Sequence, residues 1–281
     1  MKKIQIITAL SVLLLSACTR VDVYDTDHPE HGTITLTTDW SNIGAGLAVP
    51  QSYTVQAGRY STNVTGATNA IDNLFLPGNY QANIYNTANK IAVSGSVATL
   101  ATTGGIADPL PGWLFTSTLE AVIEQDKEYH FTTAMRQQVR ELNLVIAPSG
   151  GTPDKIERIT ASLSGAASTL DFADGTHSNA VSVAPAFVKQ ANGTWAATVR
   201  LLGITGNEQK LTITMTFTDN SPAPITEEVN IHTQLGDFNA DKRIPLTLGA
   251  QVVVTPTGAG FSTTITNWEP GNGSGQSGNA E

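Results

Sequence analysis

The chain has 281 residues, of which 15 are Lys or Arg and 24 are Asp or Glu, so its formal net charge at pH 7 is −9. An acidic chain without clustered basic residues is a poor partner for nucleic acid, whose phosphates need neutralising cations. The single cysteine excludes an intramolecular disulfide and a zinc site built from several cysteines. The fold must therefore be held by packing and strand pairing.

The first 17 residues predict a secretory signal peptide. Lys2 and Lys3 precede the apolar run Ile4–Leu15, which is too short to span a bilayer comfortably. The residues Leu-Ser-Ala stand directly before Cys18, a pattern that resembles the bacterial lipobox. We therefore expect signal peptidase II to cut between Ala17 and Cys18 and the thiol of Cys18 to carry lipid. The alternative is an ordinary signal peptide with a chance cysteine nearby.

Residues 18–31 predict an extended, solvated tether. Four carboxylates stand there among few side chains that could be packed: Asp22, Asp25, Asp27 and Glu30. Two histidines lie among these acids, so a metal site is the alternative to a polar leash between lipid and fold. The pattern favours the leash.

From residue 32 onward the sequence predicts β-structure almost throughout. Apolar and polar residues alternate with period two in Thr33–Thr37, Tyr80–Ile84 and Tyr129–Phe131, and most regularly in Leu211–Phe217. This pattern is typical of antiparallel strands that cover a core on one face and meet water on the other. Threonine, which is β-branched, suits the wet face.

Turn residues separate the predicted strands. Leu76–Asn79 contains Pro followed by Gly, which indicates a type II turn. Asp219–Pro222 separates two alternating runs and predicts a hairpin with a long loop, and Thr257–Gly260 lies inside a second predicted hairpin. Helix is expected only as a turn or two at Thr152–Ile156, where proline occupies the first helical position.

These elements predict an all-β protein with two tandem antiparallel β-sandwich domains. We place them at residues 32–138 and 139–269, with the boundary near Gln138 in a polar stretch, and expect a flexible tail at 270–281. Neither half shows the alternation of strands and long helices that a parallel sheet requires. No repeat of fixed period is visible.

Several short motifs follow one another along the chain. They are Leu76-Pro77-Gly78-Asn79-Tyr80 with Tyr85-Asn86, Pro109-Leu110-Pro111-Gly112-Trp113, Met135-Arg136-Gln137-Gln138 ahead of Leu142, Leu163-Ser164-Gly165, Phe238-Asn239 with Lys242, and a last strand closing on Trp268. In this order they resemble the fimbrillin superfamily of Bacteroidales, and within it the anchor-type fimbrial subunits. The resemblance implies two transthyretin-like β-sandwiches in a lipoprotein of the outer membrane, a cell-surface subunit of a type V fimbria.

The resemblance also implies assembly by strand exchange, in which a neighbour's strand fills a groove and main-chain hydrogen bonds supply affinity. The expected partners are other fimbrial subunits, the outer membrane through the lipid on Cys18, and a host or bacterial surface ligand. Arg20 and Arg59 are candidate sites for an arginine-specific protease, although anchors are expected to remain uncut and ordinary surface arginines are the alternative. The polar tail could not serve as a donor strand, because it has no large apolar side chains to fill the pockets of a neighbour's groove. The Val252–Ile265 hairpin could itself be the exchanged element.

The sequence predicts no catalytic site, cofactor or metal site. Asp237–Asp241 has the start of a calcium-loop spacing, but Lys242 stands where glycine is needed and the twelfth position lacks glutamate. No catalytic signature or local carboxylate pair is visible. The three remaining histidines have no partner at metal-ligand spacing: His130, which falls on the polar face of its strand, His177 and His232.

Four tryptophans raise a competing function. Trp40, Trp113, Trp195 and Trp268 could stack on sugars, so a surface glycan-binding β-sandwich lipoprotein is the main alternative to a fimbrial subunit. One tryptophan per region is more typical of core packing. A non-enzymatic fimbrial anchor or accessory subunit that supports adhesion is the preferred function, and a tip adhesin subunit is a further alternative.

Overall fold

The computed structural model describes residues 30–150, 153–218, 223–257, 260–265 and 269–270. Within these residues the chain forms 22 strands and one 3-10 turn, Pro153–Lys155. The strands are, in chain order, β1 (Thr33–Asp39), β2 (Ser52–Ala57), β3 (Tyr60–Thr65), β4 (Thr68–Ala70), β5 (Gly78–Tyr85), β6 (Ile91–Ser94), β7 (Val97–Leu100), β8 (Thr102–Thr103), β9 (Ile106–Ala107), β10 (Phe115–Ile123), β11 (Glu128–Ala134), β12 (Arg136–Gln137), β13 (Arg140–Gly150), β14 (Ile156–Asp171), β15 (Thr176–Val183), β16 (Val188–Lys189), β17 (Trp195–Leu201), β18 (Lys210–Phe217), β19 (Ile225–Asn230), β20 (Leu246–Thr257), β21 (Gly260–Ile265) and β22 (Glu269–Pro270).

The first sandwich consists of a three-stranded sheet, β11-β1-β4, and a five-stranded sheet, β12-β10-β5-β2-β3. Alternate residues of both sheets point into one core, which we call the first core. In β1, for example, Ile34 and Leu36 are buried while Thr35 and Thr37 are partly exposed. The period-two pattern of the sequence therefore correctly predicts the buried face of this strand.

The second sandwich has larger sheets. One has the order β16-β17-β13-β20-β21, with β22 also on β20, and the other has the order β19-β18-β14-β15-β9-β8, with β7 also on β14 and β6 on β7. Strand β18 buries every second residue, from Leu211 to Phe217, against the second core. The predicted all-β fold with sandwiched sheets is confirmed. Its transthyretin-like topology stays a prediction.

Three strand pairs are parallel, which the sequence did not indicate. They are β1 with β11, β13 with β20, and β15 with β9. In the first two pairs the opening strand of a sandwich lies beside a late strand of the same sandwich. Such partners are separated by many residues rather than by a tight turn, so no local sequence signal marks the pairing.

The local predictions have mixed outcomes. Both hairpins are confirmed, since β18 pairs antiparallel with β19 and β20 with β21. The loop Asp219–Pro222 lies outside the described residues, as does Thr152, and the predicted helix is the single turn at 153–155. The predicted type II turn at Leu76–Asn79 is wrong: Gly78 instead begins β5, because it pairs with Ile123 of β10.

A segment of the first half packs into the second sandwich. Strand β7 pairs with β14, with Thr99 opposite Thr169, and Ala98 and Leu100 are buried in the second core. Leu114, just before β10, lies in the same core. The domain boundary near Gln138 stays a prediction. Residues before this boundary, in β7 and at Leu114, already pack into the second sandwich and so join the two halves.

Several predicted features lie outside the described residues. They are the signal peptide, Ala17, Cys18, Arg20, most of the tether, Trp268 and the tail from residue 271. In the part of the chain that is described, no helix is long and apolar enough to cross a membrane.

Candidate functional site

The chain enters the first sandwich through a narrow gap beside Gly32. Gly32 exchanges two backbone hydrogen bonds with Phe75, at 2.8 and 2.9 Å. A Cβ at this position would lie 2.5 Å from Ile123 Cγ2 and 2.9 Å from the carbonyl oxygen of Glu124, so a side chain does not fit. The backbone next to the predicted tether is therefore fixed directly against the fold.

Strand β1 continues from this gap into the middle of the three-stranded sheet. It pairs in parallel with β11 along seven residues and antiparallel with β4 along three. Because it has a neighbour on each side and buries two aliphatic side chains, its removal would leave a groove with unpaired backbone on both walls. Strand β1 is therefore an integral part of the first sandwich, and the sheet is complete only while a strand occupies this position.

Arg59 lies in a tight hairpin turn. Gly58 and Arg59 connect β2 to β3, both are exposed, and Gly58 has φ +59°. Cleavage after Arg59 would detach β2 as well as β1, and β2 buries Tyr53 and Val55 in the first core. Arg59 is thus exposed to solvent, but cleavage after it would remove both β1 and β2 from the first sandwich.

Strand β3 forms a free edge of the five-stranded sheet. Its sequence, Tyr-Ser-Thr-Asn-Val-Thr, contains no charge and no proline. Strand β19, at the edge of the largest sheet, carries Glu227 and Glu228, and Glu228 forms an ion pair with Lys210 at 3.3 Å. Charges and prolines normally protect sheet edges from pairing. The β3 edge lacks this protection.

The two sandwiches meet around Trp113. The side-chain amide of Asn86 accepts a hydrogen bond from the backbone N–H of Phe115 at 2.7 Å and donates to the carbonyl of Trp113 at 2.9 Å. The guanidinium of Arg200 lies 4.6 Å from the centre of the Trp113 ring. Trp113 packs against both cores. The Tyr-Asn and Pro-Gly-Trp motifs therefore build the contact between the sandwiches.

A loop of residues 231–245, which we call the junction loop, connects β19 to β20. Arg140, at the start of β13, donates to the carbonyls of Asp237, Phe238 and Ile244 at 2.8–3.0 Å and covers the Phe238 ring. Burial lowers the pKa of Arg140 from its usual value, and Asp241 and Asp237 oppose that shift. One buried cation thus holds three backbone carbonyls of the loop.

Gln137 joins the junction loop to the first sandwich. Its amide nitrogen donates to the carbonyls of Val139 and Lys242 at 2.8 and 2.6 Å, and its oxygen accepts from the N–H of Gly44 at 2.9 Å. A Cβ on Gly44 would lie 2.9 Å from both Gln137 Oε1 and the carbonyl of Arg243. The Gln side chain therefore depends on glycine at position 44 for its close approach.

A cavity of about 550 Å³ opens beside the junction loop. It is lined by residues from both halves: Asn42, Arg136, Gln137, Gln138, Leu170, Phe172, Ala173, Asp174, Gly175, His177, Asn239, Ala240, Asp241, Lys242 and Arg243. At its wall, Lys242 Nζ donates to the carbonyl of Leu202 at 2.7 Å and lies 3.0 Å from His177 Nε2. The side-chain amide of Asn239 exchanges two hydrogen bonds, each 2.9 Å, with the backbone of Ile204.

The cavity contains the most perturbed ionisable groups of the described residues. Burial lowers the pKa of Lys242 to about 7. Burial and the charge of Lys242 lower the pKa of His177 to about 4, against backbone hydrogen bonds at Leu202 and Gly175. Hydrogen bonds from Arg243 lower the pKa of Asp241 to about 2. At neutral pH the histidine is therefore uncharged, and burial favours release of a proton from Lys242.

The other candidates from the sequence lie outside the cavity wall or are engaged by neighbouring groups. His130 is exposed on β11, and His232 Nδ1 lies 2.6 Å from Gln209 Oε1. Asn239, in the calcium-like stretch, exchanges hydrogen bonds through its amide with the backbone of Ile204. No group of three or more His, Cys, Asp or Glu within the described ranges is placed to hold a metal ion.

The described tryptophans do not form an exposed row. Trp40 packs edge-on against Tyr53 and Phe115, at centroid distances of 6.0 and 5.7 Å. Trp195 is buried in the second core, and Trp113 lies between the two cores. These contacts favour a packing role for all three.

Sequence reasoning did not identify the cavity. Arg136, Gln137, Asn239 and Lys242 stand in two motifs that are about 100 residues apart, and only the fold brings them together. The sequence did contain one signal. Both motifs belong to the set that resembles the family, and the second ends in Lys242, a lysine that follows the acidic residues Asp237 and Asp241. His177 stands in neither motif, and nothing in the sequence connects it to Lys242.

Comparison with known proteins assigns the family. The sequence profile of the fimbrillin-A associated anchor proteins Mfa1 and Mfa2 matches residues 50–271. The chain belongs to this family. Among solved structures, the fimbrial anchor protein Mfa2 from Porphyromonas gingivalis matches with a TM-score of 0.61 and 14% identity, over 86% of this chain and 98% of that one.

Two further structures share the fold of this anchor-family protein. A candidate adhesin from Bacteroides ovatus matches with a TM-score of 0.59 and 14% identity, over 79% of this chain and 89% of that one. A candidate polysaccharide-binding protein from Bacteroides thetaiotaomicron matches with a TM-score of 0.52 and 8% identity, over 86% and 98%. No curated protein matches the sequence.

Family membership identifies the protein as a fimbrial subunit of the anchor type, which associates with other fimbrial subunits at the cell surface. The family is structural rather than known for an enzymatic activity. The resemblance that the sequence motifs indicated is confirmed.

Proposed function

We propose that this protein is the lipid-anchored subunit that joins a type V fimbria to the outer membrane and so supports adhesion. In this account acyl chains on Cys18 hold the base, residues 18–31 clear the envelope, and the sandwiches present a strand-pairing site to the next subunit. The observation that carries the proposal is the position of β1, which follows the tether directly and is paired on both sides. A subunit that keeps β1 stays joined to its lipid.

The β3 edge supports strand pairing with a partner. It is six residues long, uncharged and free on one side, and its half-buried Tyr60, Thr62 and Val64 alternate with exposed neighbours. An added strand would gain main-chain hydrogen bonds along this edge and place alternate side chains over the sheet. In this account Arg59, in the hairpin that leads into β3, remains uncut.

Lipidation is tested by metabolic labelling with an alkyne analogue of palmitate. We expect label on the wild-type protein, no label on Cys18→Ser, and unchanged label on the control Arg59→Ala. Loss of fimbriae from the cells that carry Cys18→Ser, with fimbriae shed into the medium, is the expected consequence at the cell surface. Equal labelling of Cys18→Ser and wild type would contradict lipidation at Cys18.

Glycan binding through stacked tryptophans has no support among the described residues, because Trp40, Trp113 and Trp195 pack internally. The likeness to a candidate polysaccharide-binding protein, at 8% identity, extends to the fold alone. A tip adhesin of the same family differs from an anchor in its place in the fibre. Immunogold labelling of whole fimbriae separates the two, since an anchor is labelled at the cell end.

A further inference from the structure

The cavity beside the junction loop has a cationic lining that neither lipid anchoring nor strand pairing requires. Its lining includes the cations Arg136, Lys242 and Arg243 and the acids Asp174 and Asp241, so it carries a formal charge of +1 when Lys242 is protonated and His177 is neutral. The whole chain carries −9. A positive concave site on an acidic molecule concentrates anions locally.

Lys242 has a hydrogen-bonding position to spare. An ammonium group has three donors; the carbonyl of Leu202 accepts one, and Nε2 of His177 accepts a second only in the tautomer in which this nitrogen does not donate to Leu202. Lys242 is 7% exposed, and none of the ion pairs among the described residues includes it. A buried ammonium without a counter-ion is unfavourable, and an anion beside it removes that penalty.

The two acids of the lining are already engaged. Asp241 accepts from the guanidinium of Arg243 at 2.8 and 2.9 Å. Asp174 accepts from the backbone N–H of Thr176 at 2.8 Å. Arg136, by contrast, is exposed and enters no ion pair among the described residues. The lining thus offers one buried and one exposed cation to a ligand.

We propose that this cavity binds a carboxylate group, with Lys242 donating from the buried wall and Arg136 from the rim. The net charge of the lining matches a single negative charge, which favours a carboxylate over a doubly charged phosphate. The volume of about 550 Å³ accommodates a residue or two on either side of that carboxylate, within the range of about 300–1,000 Å³ typical of ligand pockets. The ligand is an acidic side chain of a peptide or a small organic acid. The proposal depends on neither lipidation nor strand pairing.

The test is isothermal titration calorimetry of the mature chain with acetyl-Gly-Glu-Gly-amide and its Gln counterpart, which differ only in the carboxylate. We expect the Glu peptide to bind at least about tenfold more tightly, because a charge-assisted hydrogen bond is lost with Gln. Acetate is the second probe. Binding of acetate with similar affinity identifies a small acid as sufficient, and binding of the Glu peptide alone identifies a peptide ligand. Equal affinity for the Glu and Gln peptides overturns the proposal, as does the absence of binding.

Variants locate the site. Lys242→Met is expected to weaken binding of the Glu peptide by about tenfold or more, since the buried donor is lost. Lys127→Met is the matched control, because Lys127 is exposed, lies outside the cavity and changes the net charge equally. Equal weakening by both variants would mean non-specific attraction and overturn the proposal.

Two further measurements remain decisive if Lys242→Met folds poorly. Arg136→Gln alters only an exposed rim residue and is expected to weaken the Glu peptide more than the Gln peptide. In the wild type, binding of the carboxylate near pH 7 is expected to take up protons, because the bound anion favours the charged form of Lys242. Calorimetry in two buffers with different ionisation enthalpies measures this uptake. Absence of proton uptake at every pH across the range in which Lys242 titrates would overturn the proposal.

Discussion

The two cores of this protein differ in size and in the position of their opening strands. Among the described residues, 13 buried side chains form the first core and 33 form the second. Strand β1 opens the first sandwich and contributes Ile34 and Leu36 to it, whereas β13 opens the second and contributes Leu142, Leu144 and Ile146. Both opening strands pair in parallel with a later strand.

The two opening strands differ in how firmly they are held in their sheets. Strand β13 is paired along nine residues with β20 and along seven with β17. Strand β1 has a partner along three residues on its β4 side, and it lies in a sheet of three strands. Backbone pairing and apolar burial both hold β13 more firmly. The first sandwich therefore holds its opening strand less firmly than the second.

The largest expected effects come from deleting a core side chain on each opening strand. Leu144→Ala and Leu36→Ala should each lower the free energy of unfolding by about 2–5 kcal/mol, from lost burial and the cavity left behind. Leu36→Ala should speed hydrogen exchange in β1, β4 and β11 and leave β13 and β20 protected. Leu76→Ala, at a side chain 60% exposed, is the control and should change stability by about 0.5 kcal/mol or less. Equal loss of protection in both sandwiches after Leu36→Ala would show one cooperative unit.

Overpacking at Gly203 should produce the next largest effect. A Cβ there would lie 2.2 Å from His177 Cδ2 and 2.6 Å from Asn239 Oδ1, so Gly203→Ala should cost about 1–3 kcal/mol. Gly249→Ala is the matched control, because a Cβ at that position meets nothing within 4 Å. Chemical denaturation of both variants measures the difference. Similar stability of the two would show that His177 and Asn239 move apart without cost.

Loss of the Gln137 side chain should loosen the contact between the sandwiches. Gln137→Ala leaves the N–H of Gly44 and the carbonyls of Val139 and Lys242 without their described partner, which should cost about 1–3 kcal/mol. Hydrogen exchange at Gly44 should accelerate more than exchange within β18. The exposed Gln125→Ala serves as the control. An unchanged exchange rate at Gly44 would mean that other contacts hold the sandwiches together.

The last prediction is a pH dependence of stability, which arises in the second sandwich. Lys242 has a folded-state pKa of about 7, and its unfolded pKa is about 10.4. Between these values the unfolded chain holds a proton that the folded chain has released, so the free energy of unfolding rises with pH, by at most about 1.4 kcal/mol per unit. Lys242→Met should flatten the rise, and Lys127→Met should retain it. Urea unfolding at several pH values between about 7 and 9 measures the slopes. Parallel slopes in wild type and Lys242→Met would contradict the assignment.

Much of the fold could be predicted because the signals are local. Alternation in β1 and β18 reflects which residues each strand buries, and the hairpin of β18 with β19 joins neighbouring runs. The family could be predicted from motifs whose roles the structure now explains. Asn86 and Gln137 each occupy a contact between sandwiches that their chemistry fits.

The rest could not be predicted because it depends on long-range contacts. Parallel pairing of β13 with β20 joins residues about 100 positions apart, and β7 crosses into the second sandwich without any marker in its sequence. The turn chemistry of Pro77-Gly78 was overridden by pairing with β10. The cavity needs Arg136, His177 and Lys242 from three separate segments, and spacing along the chain does not show that these segments meet.

The most direct test of the anchor function is the intact mass and N-terminal sequence of the protein from native outer membranes, with its co-purifying proteins identified. The account predicts a terminus at acylated Cys18, with β1 retained, and fimbrial subunits in the same preparation. A terminus at Val21 or Tyr60, the products of cleavage after Arg20 or Arg59, would contradict it and indicate a processed subunit of the shaft or tip.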